Sequence, residues 1–293
     1  MNYPGDSRRV KTVREILERD APQLSKTSDL DWSEARLEIR ILLESVLEAD
    51  RAWLLAHEAE EVQAELIQRY EQLFARRLAG EPIAYIVGQR EFYGRLFKVG
   101  PDVLIPRPET ELLVELAIEC LPETRSADVL DLGTGSGCIA ITLALERPAS
   151  HVVGVDASQS SLELAMDNAA ALGARVEWQC GNWYSDLKGR RFDLIVSNPP
   201  YVEENDIHLE SGDVRFEPRH ALSSGPMGLN DLVPIIQQAQ THLKPGGWLL
   251  LEHGWDQGPS VLGLMKSHGF EQIETYKDYA GHDRVSLGKC RKI

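Results

Sequence analysis

Ala127-Asp128-Val129-Leu130-Asp131-Leu132-Gly133-Thr134-Gly135-Ser136-Gly137, running straight into Cys138-Ile139-Ala140-Ile141-Thr142-Leu143-Ala144-Leu145-Glu146, is the stretch from which the fold can be read. A short apolar run fits a buried strand, three alternating glycines fit a tight turn, and the nine residues after them fit a helix. The same alternation continues to the end of the chain. Strands are expected at HVVGVD (151–156), VEWQC (176–180), FDLIVSN (192–198), GWLLLEH (247–253), FEQIETYK (270–277) and DRVSLGK (283–289). Helices are expected at ETELLVELAIECL (109–121), SLELAMDNAAAL (161–172), DLVPIIQQAQTHL (231–243) and PSVLGLMKSHG (259–269). Strands rich in Val, Ile and Leu that alternate with helices imply an α/β fold, a doubly wound, mostly parallel seven-stranded sheet covered on both faces. The last two strands are joined too tightly for a helical crossover, so they should be antiparallel.

Upstream, residues 10–79 carry apolar residues at helical spacing. Leu37, Ile41, Leu42, Leu43, Val46 and Leu47 are expected on one face, opposite Glu34, Glu38, Arg40, Glu44 and Glu48. Asp31 and Glu34 read as a capping box ahead of that run. A second amphipathic segment, 60–78, stops at Gly80 and Pro82. Between them and Arg107, IAYIVG (83–88) and EFYGRLFKVG (91–100) read as extended runs. The expected organisation is a small helical-bundle domain at 1–79, a β-hairpin linker at 80–106 and the sheet domain at 107–293.

The 293 residues suit about two domains, and 43% hydrophobic residues exclude a chain disordered throughout. The net charge is −15, and residues 1–79 hold 12 Lys and Arg against 16 Asp and Glu, which gives no basic arm for nucleic acid. Cys120, Cys138, Cys180 and Cys290 form no CxxC pair, so neither a zinc site nor a disulfide framework is expected, nor any other bound metal. The N-terminal MNYPGDSRRV lacks the apolar core of a signal peptide, and no stretch approaches a membrane span. A cytoplasmic monomer without membrane or nucleic-acid partners is the expectation.

Strand, glycine turn and helix follow in the order a nucleotide site requires, since bare backbone and a helix N-terminus both favour a bound cofactor. Alone, G-x-G-x-G is also an ordinary tight turn. Asp156, 19 residues beyond Gly137 at the end of the next strand, can accept from two ribose hydroxyls, or cap the helix that starts near Ser158, or both. The sixth position of the usual dinucleotide fingerprint is Cys138 rather than glycine, which favours an adenosine cofactor smaller than NAD. Gly181-Asn182-Trp183 follows the third strand. Trp183 can stack on adenine while Asn182 bonds its amine, or Trp183 can be a plain rim aromatic.

The fourth strand ends in Asn198-Pro199-Pro200-Tyr201. Two prolines remove backbone donors, leaving local carbonyls and the Asn198 side-chain oxygen as acceptors for one planar NH2 group, with Tyr201 packed on its flat face. An amide or ring amino nitrogen delocalises its lone pair and is a poor nucleophile. Acceptors that bind its two N–H groups favour positive charge on nitrogen and aim it at an electrophile. Catalytic roles are therefore expected for Asn198, Pro199 and Tyr201.

The glycine turn, Asp156 and Asn-Pro-Pro-Tyr together resemble the class I S-adenosylmethionine-dependent methyltransferases that modify planar nitrogens. ILLESVLEADRAWLLAH (41–57), EPIAYIVGQREFYG (81–94), LIPRPETE (104–111), DLGTGSG and SNPPY look more narrowly like the protein glutamine-N5 methyltransferases of peptide chain release factors. The resemblance implies a Rossmann-like methyltransferase sheet, with S-adenosylmethionine as cofactor and S-adenosylhomocysteine as product. It implies cofactor contacts at Gly133, Thr134, Gly135, Ser136, Gly137, Asp156, Asn182, Trp183 and Asn198. It also implies that Asn198, Pro199, Pro200 and Tyr201 hold the glutamine of the release factor's Gly-Gly-Gln loop. The family often has an acidic residue where Asn182 stands. Arg107 and Glu111 are placed near the site mouth as substrate contacts, or form a plain surface pair at i, i+4 spacing. His253, at the end of the fifth strand beside Glu252, reads as structural. Two other owners of the nitrogen stay open: a ribosomal-protein glutamine, and adenine N6 of nucleic acid. Against the latter, residues 80–293 hold 19 basic against 30 acidic residues, although Arg90, Arg95, Lys98 and Arg107 could form a local basic patch.

Overall fold

The computed structural model describes residues 11–28, 30–123 and 125–291. The N-terminal decapeptide read above for a signal sequence lies outside the described residues. The chain divides into two compact units, Met1–Gly88 with Glu210–Phe216, and Gln89–Leu209 with Glu217–Ile293.

In the first unit the elements are β1 (Lys11–Thr12), α1 (Val13–Thr27), α2 (Trp32–Leu47), α3 (Arg51–Ala56), β2 (Glu61–Val62), α4 (Ala64–Leu78) and α5 (Ile83–Val87). The Asp31–Glu34 capping box forms as expected, and a second one joins Thr12 to Glu15 ahead of α1. On α2 the buried face is Ala35, Ile39, Leu42, Leu43 and Val46, whereas Leu37 is exposed. The reason is phase. Positions 35, 39, 42, 43 and 46 keep to a 3.6-residue period, and 37 falls two residues, about 200°, away from 35. Buried Arg77 bonds Glu38 and, through Nη1 at 3.0 Å, Asp213, which ties the 210–216 segment into this unit.

IAYIV is a helical turn, not the extended run expected. Pro82 presets its own φ at −56° and its carbonyl accepts from the N–H groups of Tyr85 and Ile86, while Gly88 closes the turn at φ 74°. Five apolar residues are too few for periodicity to separate strand from helix, so proline in front and glycine behind decide.

The second unit opens with the hairpin β3 (Gln89–Phe92) and β4 (Arg95–Lys98), turning through Tyr93 and Gly94, both at positive φ. Phe92 and Phe97 are buried with Leu113 and Val114, so this hairpin packs as part of the sheet unit. Then come α6 (Thr110–Cys120), β5 (Asp128–Leu132), α7 (Cys138–Glu146), β6 (His151–Asp156), α8 (Gln159–Leu172), β7 (Val176–Cys180), β8 (Phe192–Ser197), α9 (Leu232–His242), β9 (Leu243–Glu252), α10 (Gly258–Ser267), β10 (Glu271–Lys277) and β11 (Asp283–Lys289). The sheet order is β10-β11-β9-β8-β5-β6-β7. β11 runs antiparallel to both β9 and β10, and the other pairings are parallel. Successive strand residues feed opposite cores. Val129, Val152, Leu194 and Leu250 face α6 and α7, and Leu130, Val153, Ile195 and Leu249 face α9 and α10. The strand order turns around at β5, so the crevice above its carboxyl end is where such sheets bind ligands. No helix among the described residues is long and apolar enough to cross a membrane.

Candidate active site

At the end of β5 the backbone turns through Gly133 (φ 70°), Gly135 (φ 54°) and Gly137 (φ 81°) into α7. Each lies in the left-handed region, but each is bare for a different reason. A Cβ on Gly133 would touch the Trp183 ring, one on Gly135 would project into open space, and one on Gly137 would sit 2.9–3.1 Å from Ile141, Ala165 and Trp178. Gly137→Ala therefore combines left-handed strain with overpacking, and is expected to lower stability by about 2–4 kcal/mol. Gly173→Ala, at φ 72° with nothing within 4 Å, should lose only the strain part, about 1–2 kcal/mol. Urea unfolding of the two variants makes the comparison.

Beneath the turn Asp131 is fully buried. Its Oδ2 accepts from the Thr134 hydroxyl at 2.6 Å and from the Ala140 N–H at 3.2 Å, so it clamps loop to helix. Burial pushes its carboxyl up to about 7. Sequence reading passed over Asp131. Its signal was a carboxylate in an otherwise apolar buried strand, which needs such partners.

Asp156 ends β6 but does not cap α8: the N-cap is Ser158, whose hydroxyl accepts from the Ser161 N–H, and Asp156 Oδ1 accepts from the Ser158 N–H at 2.9 Å. Oδ2 accepts from the Gly135 N–H at 2.8 Å, so the same carboxylate joins the two strand ends. Each oxygen keeps a further lone pair for a ligand hydroxyl. Trp183 is half-buried with φ 52°, an uncommon conformation for so bulky a residue, and it lays its ring against Gly133. A cavity of about 260 Å³ opens here. Gly133, Thr134, Gly135, Ser136, Asp156, Asn182, Trp183, Asn198, Pro200 and Arg107 all line it. Gly137, Pro199, Tyr201 and Glu111 do not. Sequence reading missed Val103, Leu104, Thr110, Ile139, His220 and Asp231, which are also among the lining residues. The two sides are chemically distinct, with bare backbone, Asp156 and an indole on one and Asn198 on the other.

Ser197 anchors the end of β8 by donating to the Leu132 carbonyl at 2.7 Å. Asn198 donates through Nδ2 to Thr110 Oγ1 at 3.1 Å. Tyr201 donates from its phenol to Glu252 Oε1 at 3.1 Å and accepts at its carbonyl from Gln257 Nε2 at 2.9 Å. Gly228 packs against that carbonyl so closely that a Cβ there would come within 2.0 Å. Arg107 and Glu111 do not form the i, i+4 surface pair. Arg107 bonds the buried Glu217, which also accepts from the Ile105 N–H at 3.0 Å, and Glu111 accepts from the Tyr93 N–H at 2.8 Å. Of Arg90, Arg95, Lys98 and Arg107, three are compensated: Arg95 pairs with Glu146, Lys98 with Asp167 and Arg107 with Glu217.

Glu252 and His253 are both fully buried. His253 is held between the Gly254 carbonyl and the Ser286 hydroxyl, each at 2.8 Å, and burial pushes its pKa down, so it sits neutral inside the fold. Burial pushes the Glu252 carboxyl up to about 7, against the opposing pull of the Thr110 and Tyr201 hydroxyls. A carboxyl whose folded pKa lies above its unfolded value binds more protons when folded. Its contribution to stability is therefore present at low pH and is lost as pH rises from about 4.5 through 7. Glu252→Gln is expected to melt close to wild type at pH 5 and above it at pH 8. The gap is at most about 3 kcal/mol and is read from melting curves across that range.

The chain matches the Methyltransferase small domain over residues 110–217 and the PrmC N-terminal domain over residues 25–88. It is 52% identical over 259 residues to the release factor glutamine methyltransferase of Neisseria gonorrhoeae, covering 88% of this chain and 94% of that one. With the same-named protein of Bordetella pertussis it shares 49% over 254 residues, covering 86% and 94%. With that of Escherichia coli it shares 44% over 264 residues, covering 89% and 95%. Among solved structures, a methyltransferase from Pyrococcus furiosus aligns with a TM-score of 0.52 at 20% identity, over 75% of this chain and 98% of that one. At that identity the likeness concerns the fold alone.

Proposed function

The chain belongs to the release factor glutamine methyltransferase family, and from that premise we propose that it methylates the side-chain amide nitrogen, N5, of the glutamine in the Gly-Gly-Gln loop of a peptide chain release factor, with S-adenosylmethionine as methyl donor and S-adenosylhomocysteine as product. The observation that carries this reading is the placing of Asn198 in the wall of the same cavity as the glycine turn and Asp156. One group built to accept from a planar NH2 thus shares a space with the groups that suit an adenosine cofactor.

The residues fit that cofactor. Gly135 leaves open space where any side chain would intrude, Gly133 and Trp183 form a flat edge, and Asp156 has free lone pairs at the strand end. Gly133, Thr134, Gly135, Ser136, Asp156 and Trp183 would hold it, with Asn182 at the rim and Gly137 acting from behind through the turn. When bound, the cofactor supplies a methyl group on a positively charged sulfur, an electrophile that needs no metal. The chain supplies the rest. Asn198 Oδ1, in the cavity wall, accepts from one N–H of the substrate amide, and the Pro199 carbonyl, which is outside the cavity lining, would accept from the other, which draws the lone pair away from the carbonyl conjugation. These bonds strengthen as the N–C bond forms, the S–CH3 bond breaks and nitrogen becomes positive, so they stabilise the transition state more than the bound substrate; the methylated nitrogen then loses one N–H proton to water, giving the neutral N-methyl amide. Pro200 stiffens the turn. Tyr201 forms the wall behind it, anchored by Glu252, and Arg107, fixed by Glu217, lies at the rim where substrate backbone would pass. The helical unit, residues 11–88 with 210–216, selects the protein partner.

Purified protein incubated with labelled S-adenosylmethionine and release factor should transfer label, and a release factor with its Gly-Gly-Gln glutamine changed to alanine should take up none. Equal labelling of both would refute the assignment.

A further inference from the structure

We propose that Thr110 is a positioning residue for methyl transfer: its hydroxyl holds the Asn198 side-chain amide with Oδ1, not Nδ2, turned toward the substrate. This rests on the reading of Asn198 as the group that holds the glutamine amide, and it names what makes Asn198 competent.

An asparagine side chain has two chemically opposite ends, and the torsion that exchanges them is soft and roughly two-fold. Only one orientation is useful. With Oδ1 toward the substrate, Asn198 accepts from an NH2 group. With Nδ2 toward it, two donors face two donors and the lone pair of the substrate nitrogen is drawn toward the wrong partner. Nothing in Asn198 itself decides between them. The decision is made by an acceptor behind it, Thr110 Oγ1, 3.1 Å from Nδ2. Thr110 is 2% exposed, so water does not compete for the bond, and it stands in the first turn of α6, where the helix backbone holds its position.

A hydroxyl can also donate, so its own proton must be engaged elsewhere for it to act as an acceptor. Glu252 is the acceptor available for that proton: it is fully buried, its Oε2 has no hydrogen-bond partner, and the Thr110 and Tyr201 hydroxyls both favour its charged form. At the two ends of the Asn-Pro-Pro-Tyr turn, Tyr201 is tied directly to Glu252 and Asn198 to Thr110. Thr110 also lines the cavity, beside the residue it orients.

The test compares Thr110→Val and Thr110→Ala, which remove the acceptor, with Thr110→Ser, which keeps it and removes a methyl group. Turnover on release factor, KM for release factor, affinity for S-adenosylmethionine by calorimetry and melting temperature are measured for each. Val and Ala are expected to lose about ten- to hundredfold in kcat, with KM and cofactor affinity within about threefold of wild type, and Ser to recover kcat whatever its melting temperature. Wild-type kcat in Val or Ala, a Ser variant as slow as they are, or a fall in cofactor affinity equal to the fall in kcat would overturn the role. Wild-type protein that labels no glutamine at all would refute the functional reading instead, so the two failures are distinct.

Discussion

Asn198→Ala is expected to reduce kcat for glutamine methylation by about a hundred- to thousandfold, the scale seen when one preorganised hydrogen-bonding group at a site of developing charge is removed. Affinity for S-adenosylmethionine should change by no more than a few fold, because the glycine turn, Asp156 and Trp183 remain in place. The asymmetry follows from where charge appears. The substrate amide nitrogen is neutral when it binds and positive as it gains the methyl group, so an acceptor on its N–H groups matters most at the transition state. Stopped-flow or single-turnover rates set beside calorimetric cofactor affinities give the comparison. Turnover and cofactor affinity reduced by the same factor would remove Asn198 from its proposed role and make it part of the cofactor cradle only.

Asp156→Ala should show the opposite pattern. Hydrogen bonds to a charged group contribute about 1.5–3 kcal/mol each, and this carboxylate would serve both ribose hydroxyls, so cofactor affinity should fall about a hundredfold or more. A second effect adds to the first. Asp156 accepts from the N–H groups of Gly135 and Ser158, so its removal also frees the glycine turn and the start of α8. Asp156→Asn keeps an acceptor but loses the charge and one of the two oxygens, and should fall between alanine and wild type. At saturating cofactor, kcat of both variants should return to within about tenfold of wild type. An alanine variant that binds the cofactor as tightly as wild type would leave Asp156 only its structural role of holding the Gly135 and Ser158 N–H groups.

Much of the site was legible from residue order, because its groups sit at the ends of strands that an α/β pattern places side by side. Asp156, Trp183 and Asn198 are far apart in sequence, yet β6, β7 and β8 bring them to one sheet edge, because the strands of an alternating α/β pattern run parallel and share their carboxyl ends. What stayed hidden came from contacts that no local pattern encodes. The bond from Asn198 to Thr110 crosses 88 positions and that from Tyr201 to Glu252 crosses 51. Arg107 found Glu217, 110 positions away, rather than Glu111 on the next turn. His220 and Asp231 entered the cavity wall from the loop after β8, where the sequence shows no period to read. Local errors have local causes: IAYIV was decided by its flanking proline and glycine, and Leu37 by the 3.6-residue phase of α2, which turns it away from the face of Ala35, Ile39, Leu42, Leu43 and Val46.

Peptide mass mapping of the methylated product tests the account most directly. Release factor, a ribosomal protein and adenine-containing nucleic acid would be offered together with labelled S-adenosylmethionine. The account expects label on the side-chain nitrogen of the Gly-Gly-Gln glutamine, and its absence from the other two. Label on adenine would mean that the Asn-Pro-Pro-Tyr turn was rightly read as a holder of planar nitrogen while the owner of that nitrogen was wrongly assigned, and label on the ribosomal protein alone would contradict the partner.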